Sequence, residues 1–348
     1  MKTIRSISSI LLLVCSIFLF ASWQYRLICW LLIIIINRKW LQTNTHKYVY
    51  ASLIAVLCLS TFLSLPNYFQ RGRTQLHYLN NHGKRVNTPL LPYIMNVAVP
   101  EKEAMNLCLK ANACIPHDNS DRLLTDAQKD FWQGKISGFY TAYKFNLNCG
   151  SFVYGQVCNQ VLNTDYDAIY ITRPKNYKKD KLYPVVFFCH GYLGSWELYQ
   201  GILSNLDDCI VVSIGTRKLD GLTFKIDDIF TKYLPYIESL GYQLDITSLH
   251  LIGLSNGGSA VNTALKYYDR KFKTITFLST PCHVFKCSST KVLLIGGGKD
   301  GSSMNFPNAH KKLLSCGTKS KLYFDDKANH FIFAYQQKEI TNFLKTNF

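Results

Sequence analysis

Acidic residues are scarce in this chain: 22 Asp and Glu stand against 39 Lys and Arg, a formal charge of +17. Such an excess suggests nucleic acid or an anionic membrane surface as partner. The basic residues, among them Arg71, Arg73, Lys84, Arg85, Lys178, Lys179 and Lys181, are scattered. They do not group with aromatics on a nucleic-acid module, so no nucleic-acid partner is expected and the membrane is favoured. A generally basic, solvated surface accounts for the scatter equally well. No Cys-x-x-Cys pair with a histidine at zinc spacing occurs, so no structural metal is expected. There is no internal repeat and no low-complexity tract. Long apolar runs are missing beyond residue 65, where the chain reads as ordinary globular sequence.

What is present is unevenly spread. The 348 residues suffice for one large domain with an appendage, or for two modest domains. Met1-Lys-Thr-Ile-Arg5 followed by an apolar run over 7–23 resembles the start of a signal peptide or signal anchor. No small-x-small site follows and apolar sequence resumes over 27–36, so cleavage is not expected. A third uncharged run, 48–65, has about the length needed to span hydrocarbon. We therefore expect N-terminal transmembrane helices over 1–65, two or three hydrophobic segments in all. The first two runs are either separate spans or one long tilted helix carrying Arg26. Two crossings plus the third place the remaining chain outside; one plus the third leaves it in the cytoplasm.

The 12 cysteines bear on that choice. Cys15, Cys29 and Cys58 lie in the apolar runs. Six others fall into close pairs, Cys108/Cys114, Cys149/Cys158 and Cys282/Cys287, which suit small disulfide rings in an oxidising, extracytoplasmic compartment. Cys189 and Cys209 sit in apolar strand-like runs and read as core thiols.

Residues 66–165 are punctuated by Pro66, Pro89, Pro92, Pro100 and Pro116, which argues for loops and short elements. A helix over 121–131 and antiparallel strands over 138–161 are expected. This part reads as a linker plus the first strands of the following domain, with His77, His82 and His117 as surface residues. From 166 to 348 strand-like runs at 168–172, 185–189, 210–214, 250–254, 274–278, 292–295 and 321–324 alternate with helix-length segments. Continuous apolar strands separated by helices imply a doubly wound, mostly parallel α/β sheet.

Three motifs lie on this frame. Gly253-Leu-Ser255-Asn256-Gly257 follows one strand and precedes a helix-compatible run over 259–268. Glycines on both sides let the chain turn sharply and lift the serine into the open. Lys291-Val-Leu-Leu-Ile-Gly-Gly-Gly-Lys-Asp300 is a strand ending in glycines and an aspartate. Lys321-Leu-Tyr-Phe-Asp-Asp-Lys-Ala-Asn-His330 is a strand and loop ending in a histidine shortly before the last helix. Upstream, Tyr183-Pro-Val-Val-Phe-Phe-Cys-His190-Gly191-Tyr192 is another apolar strand with a glycine at its end.

Together these segments resemble the α/β-hydrolase superfamily over roughly 167–348, and within it the lidless serine esterases. The resemblance implies a triad of Ser255 as nucleophile, Asp300 as acid and His330 as base. It also implies an oxyanion hole built from the backbone amides of Tyr192 and Asn256. Asp325 or Asp326 are rival acids, and His190, His283 and His310 rival bases. The short interval between the strands at 278 and 292 leaves no room for a lid. The expected function is hydrolysis of carboxylic esters through an acyl-enzyme, with an ester or lipid-like small molecule as substrate and no cofactor. Acyl transfer by the same triad, or binding by a non-catalytic module, are the alternatives.

Overall fold

A computed structural model of the chain describes residues 7–12, 29–37, 74–87, 91, 161–162, 166–191, 203, 205–215, 222 and 224–348. The chain divides into two compact units: residues 1–71, 102–116 and 144–146, and residues 72–101, 117–143 and 147–348. In the first unit residues 7–12 and 29–37 are helical. There the Asn37 side-chain amide donates to the Ser9 hydroxyl at 2.7 Å and to the Ile33 carbonyl at 2.8 Å. Among the described residues no helix is long and apolar enough to cross a membrane. The expected transmembrane helices are thus not observed, and the run 48–65 and most of 7–23 lie outside the described residues.

The second unit holds a nine-stranded sheet of β1 (Thr74–Asn80), β2 (Arg85–Val86), β3 (Tyr166–Thr172), β4 (Tyr183–Cys189), β5 (Ile210–Gly215), β6 (Leu244–Leu254), β7 (Thr274–Leu278), β8 (Lys291–Gly297) and β9 (Ser320–Asp325). Their order across the sheet is β2-β1-β3-β5-β4-β6-β7-β8-β9. From β5 to β9 every neighbouring pair is parallel. At the other edge β3 runs antiparallel to both β1 and β5. Helix α1 covers 226–239, with a π-helical stretch over Ile229–Tyr233; α2 (Gly258–Tyr267), α3 (Phe306–Ser315), α4 (Ile332–Tyr335) and α5 (Gln337–Lys345) follow. All seven expected strands of this domain are present, most of them longer by one or more residues.

The reason is burial on both faces. In β4, Val185 to Cys189 are all fully buried, and β6 is buried from Ser248 to Leu254. Helices covering a parallel sheet leave no face for polar alternation, so the strands read as continuous apolar runs. Chain order reverses around β4, which has β5 on one side and β6 on the other. In an open α/β sheet such a reversal opens a crevice at the carboxyl ends of the strands.

Some expectations fail here, and others lie outside the described residues. His77 is not a surface residue: it lies buried in β1, donating to or accepting from the Tyr236 hydroxyl at 2.9 Å. Strand β1 was hidden among prolines and charges, yet Leu76, His77, Tyr78 and Leu79 are all buried because it pairs with β3 along seven residues. Cys282 and Cys287 form no bridge: Cys282 is buried and Cys287 exposed, so the chain between them runs from core to surface. The helix over 121–131, Cys108/Cys114 and Cys149/Cys158 lie outside the described residues, as do the strands over 138–161 except Val161, which is helical.

Two buried histidines make the fold acid-sensitive. Burial foremost, then Arg85, lowers His77 from its ordinary 6.5 to about 4. Burial, then Lys273, lowers His250 to about 3, where its ring sits between Ser248 and Thr274. Between these values and 6.5 the unfolded chain binds more protons than the folded one, so stability falls as pH drops. We expect urea denaturation to show a loss on the order of 3 kcal/mol per histidine between pH 6.5 and 4. His77→Gln should flatten part of that slope; an unchanged slope would contradict the burial argument.

Candidate active site

The site begins where β6 ends. Ser255 has φ +52°, the left-handed region that costs an ordinary residue on the order of 1 kcal/mol. The cause lies in its neighbours. A side chain at Gly257 would collide with the carbonyl oxygens of Cys189 and His190 at the end of β4. One at Gly253 would press on the Gly257 carbonyl and Val261, and one at Gly258 on Thr280. The chain therefore leaves β6, packs its turn Ser255–Gly257 directly against β4, and enters α2 at once. The turn pushes the Ser255 side chain outward, and it remains partly exposed.

Gly191 completes this side. A β-carbon there would stand 2.9 Å from the Ser255 β-carbon and 3.5 Å from its hydroxyl oxygen, so the loop after β4 lies directly beside the serine. His190 is buried, and its Nδ1, the only possible donor in the pair, gives its proton to the Gly191 carbonyl at 2.6 Å. It shapes the loop and is not placed as a base. Asn256 follows the serine at the entry to α2. Tyr192, the other expected oxyanion donor, lies outside the described residues.

Two strands away the second half of the site is assembled. After β9 the chain folds back over the end of β8. Gly298 N–H donates to the Asp325 carbonyl at 2.9 Å and Lys299 N–H to the Ala328 carbonyl at 2.9 Å. The approach is close enough that a side chain at Gly297 would strike the Ala328 backbone, and one at Gly298 the Asp326 backbone at 2.6 Å. The glycines thus let two loops zip together. Their tips carry Asp300 and His330, and His330 Nδ1–H donates to Asp300 Oδ1 at 3.1 Å. That fixes the tautomer and leaves the Nε2 lone pair as the basic site.

Asp300 is buried and held on all sides. Burial taken alone raises its carboxyl, but hydrogen bonds from His330, Ser303 and the Ser302 amide outweigh it and hold it below the usual carboxylate range. Ser303 gives the shortest of these, 2.7 Å to Oδ2, while its own oxygen accepts from Gly297 N–H at 3.1 Å. No sequence signal marked Ser303: a serine three residues after an aspartate is commonplace. The rivals fall elsewhere. Asp325 accepts from the Lys327 amide, His310 binds Ser320 beside β9, and His283 is an exposed residue whose backbone N–H binds Asn262. Cys189 is buried and its thiol pushed well up by burial, so it offers no competing nucleophile.

Among the described residues the Ser255 hydroxyl makes no hydrogen bond. The structure therefore makes the aspartate–histidine link and leaves the histidine–serine link open. Residues 279–290, between β7 and β8, contain no helix or strand. Such a set can polarise a hydroxyl and take up its proton. Its geometry hangs on the glycine zipper, so Gly298→Val should part the loops and remove the downfield Nδ1 proton resonance of the His330–Asp300 hydrogen bond while leaving circular dichroism unchanged. An unaltered resonance would show that the two loops tolerate separation.

No protein-family model matches the chain, and no match is found among curated proteins. Similar solved structures include a thermostable esterase, with 16% identity, a TM-score of 0.41 and coverage of 53% of this chain and 60% of that one. A dipeptidyl peptidase 4 from Porphyromonas gingivalis shows 14% identity, a TM-score of 0.40 and coverage of 53% and 34%. A ferulic acid esterase shows 18%, 0.43, and 54% and 95%. The chain thus spans 60% of the first and about a third of the second. The chain itself has an antiparallel edge, β2-β1-β3, before a parallel run, a left-handed serine at the sharp turn after β6, then an aspartate after β8 and a histidine after β9. This mostly parallel α/β arrangement fits the α/β-hydrolase fold.

Proposed function

We propose that this protein is a serine hydrolase that cleaves carboxylic esters. The observation that carries the reading is Ser255, forced into a left-handed turn beside Gly191, with the Asp300–His330 pair formed at strand ends of the same sheet.

In this mechanism His330 Nε2 removes the Ser255 proton as the hydroxyl oxygen attacks the ester carbonyl carbon. Asp300 accepts from Nδ1–H throughout and stabilises the imidazolium. The negative oxygen of the tetrahedral intermediate is held by the Asn256 amide and, on this reading, by the Tyr192 amide. Collapse expels the alcohol, which takes its proton from His330. Water then attacks the acyl-enzyme with His330 again as base, releasing the acid and restoring Ser255. The short β7–β8 connection supports an open site for a bulky or surface-bound acyl ester. The apolar N-terminal runs and the +17 charge support attachment to an anionic membrane. The close pairs Cys108/Cys114 and Cys149/Cys158 suit a catalytic domain on the extracytoplasmic side.

Strain and activity separate in a test at one position. Ser255→Ala should abolish hydrolysis of p-nitrophenyl acetate and butyrate, with a fall in kcat of at least about 10⁴-fold. Ser255→Gly should be equally inactive yet more stable than wild type by on the order of 1 kcal/mol, because glycine relieves the left-handed strain. Retained turnover in both would remove Ser255 from the mechanism. Turnover in neither wild type nor variant, from well-folded protein, would favour a binding module.

A further inference from the structure

We propose that Cys287 and Cys316 form a reversible disulfide that staples the chain entering β8 to the chain entering β9. Cys287 lies in the connection 279–290 and is exposed; Cys316 caps the carboxyl end of α3 and is half-buried. Cys287 foremost, then desolvation, raises the Cys316 thiol, so the two side chains sense each other across the gap.

The contact is held by the backbone on either side. Next to Cys287, Ser288 N–H donates to the Thr318 hydroxyl oxygen at 2.9 Å, and that hydroxyl donates to the Ser288 carbonyl at 3.0 Å. Asp269 fixes the same turn from below: its Oδ1 accepts from the Ser288 hydroxyl at 2.7 Å and from Ser289 N–H at 3.0 Å. Past Cys316, Gly317 takes φ +78° and lets the chain reverse, so that Val292 N–H can bind the Lys319 carbonyl at 2.9 Å. Two chain segments fixed on both flanks thus present two thiols to each other and to solvent. Lys312, one helical turn before Cys316, partly offsets the rise of its thiol. The other second-unit cysteines described, Cys189, Cys209 and Cys282, are buried, and burial pushes the Cys282 thiol up to about 12. They are shielded from oxidants that can reach this pair.

The chemistry needs only a low-molecular-weight disulfide such as oxidised glutathione. One thiolate attacks a glutathione sulfur and expels glutathione thiolate, giving a mixed disulfide. The second thiolate attacks the protein sulfur of that bond and expels the second glutathione. The two protein thiols lose two protons and two electrons, and one oxidised glutathione becomes two reduced molecules. The bridge closes a loop of about 30 residues, which limits the unfolded chain. Because β8 and β9 are parallel and the triad sits at their carboxyl ends, the staple lies at the opposite end of these strands. Its effect is on stability.

The test is to reduce the purified full chain, expose it to oxidised glutathione, block free thiols with N-ethylmaleimide, digest it without reductant and map the peptides by mass spectrometry. We expect a Cys287–Cys316 crosslinked peptide that reductant removes. The Tm of oxidised protein should exceed that of reduced protein by on the order of 5 °C. Cys287→Ser and Cys316→Ser should each abolish both the peptide and the Tm difference. Complete maleimide labelling of both cysteines after oxidation would overturn the proposal. So would glutathione adducts alone, or a Cys282–Cys287 crosslink.

Discussion

The close approach of two strand ends governs this molecule. Where the turn after β6 crosses the end of β4, no atom beyond hydrogen fits on Gly257, because the carbonyls of Cys189 and His190 occupy the space. Backbone contact at that point leaves the preceding serine no ordinary conformation, and it adopts φ +52°. The same contact brings Gly191 against the Ser255 β-carbon and seats the serine at the entry to α2. Position, exposure and strain of the nucleophile candidate are thus consequences of one packing constraint, itself possible only because β4 and β6 are parallel neighbours at the reversal of strand order. Strain held in this way is characteristic of sites where conformation serves chemistry.

A second close approach repeats the device. The loops after β8 and β9 share two backbone hydrogen bonds and meet across Gly297 and Gly298. Each loop by itself would leave its titratable residue free to move. Zipped together, they set a buried carboxylate against an imidazole, and Ser303 ties that carboxylate back to β8. Desolvation of Asp300 is thereby offset by hydrogen bonds, as a buried charge requires.

Much of this was legible in the sequence because burial on both faces writes itself as apolar runs. Residues 274–278 and 185–189 were readable as strands for that reason, and the glycines around Ser255 and before Asp300 as turns with little room. Strand β1 was not legible: Thr74-Gln-Leu-His-Tyr-Leu-Asn sits between basic residues, and its burial depends on β3, about ninety residues later in the chain. His77 was misjudged with it, since a histidine's burial depends on a partner, Tyr236, that no local pattern reveals. The cysteines misled through proximity in sequence. Cys282 turns into the core, while Cys287 finds Cys316 across a fold of the chain. Ser303 carries no pattern, because its role is set by a loop whose shape only the folded chain displays.

The central claim, that the serine strained by the β4–β6 approach is a nucleophile activated by the Asp300–His330 pair, is tested most directly by covalent labelling. The folded protein would be treated with a fluorophosphonate, digested, and the phosphonylated residue located by mass spectrometry, alongside His330→Ala. A single adduct on Ser255 that fails to form in His330→Ala is the expected result. An adduct on another residue, equal labelling without His330, or no labelling of folded protein would contradict it.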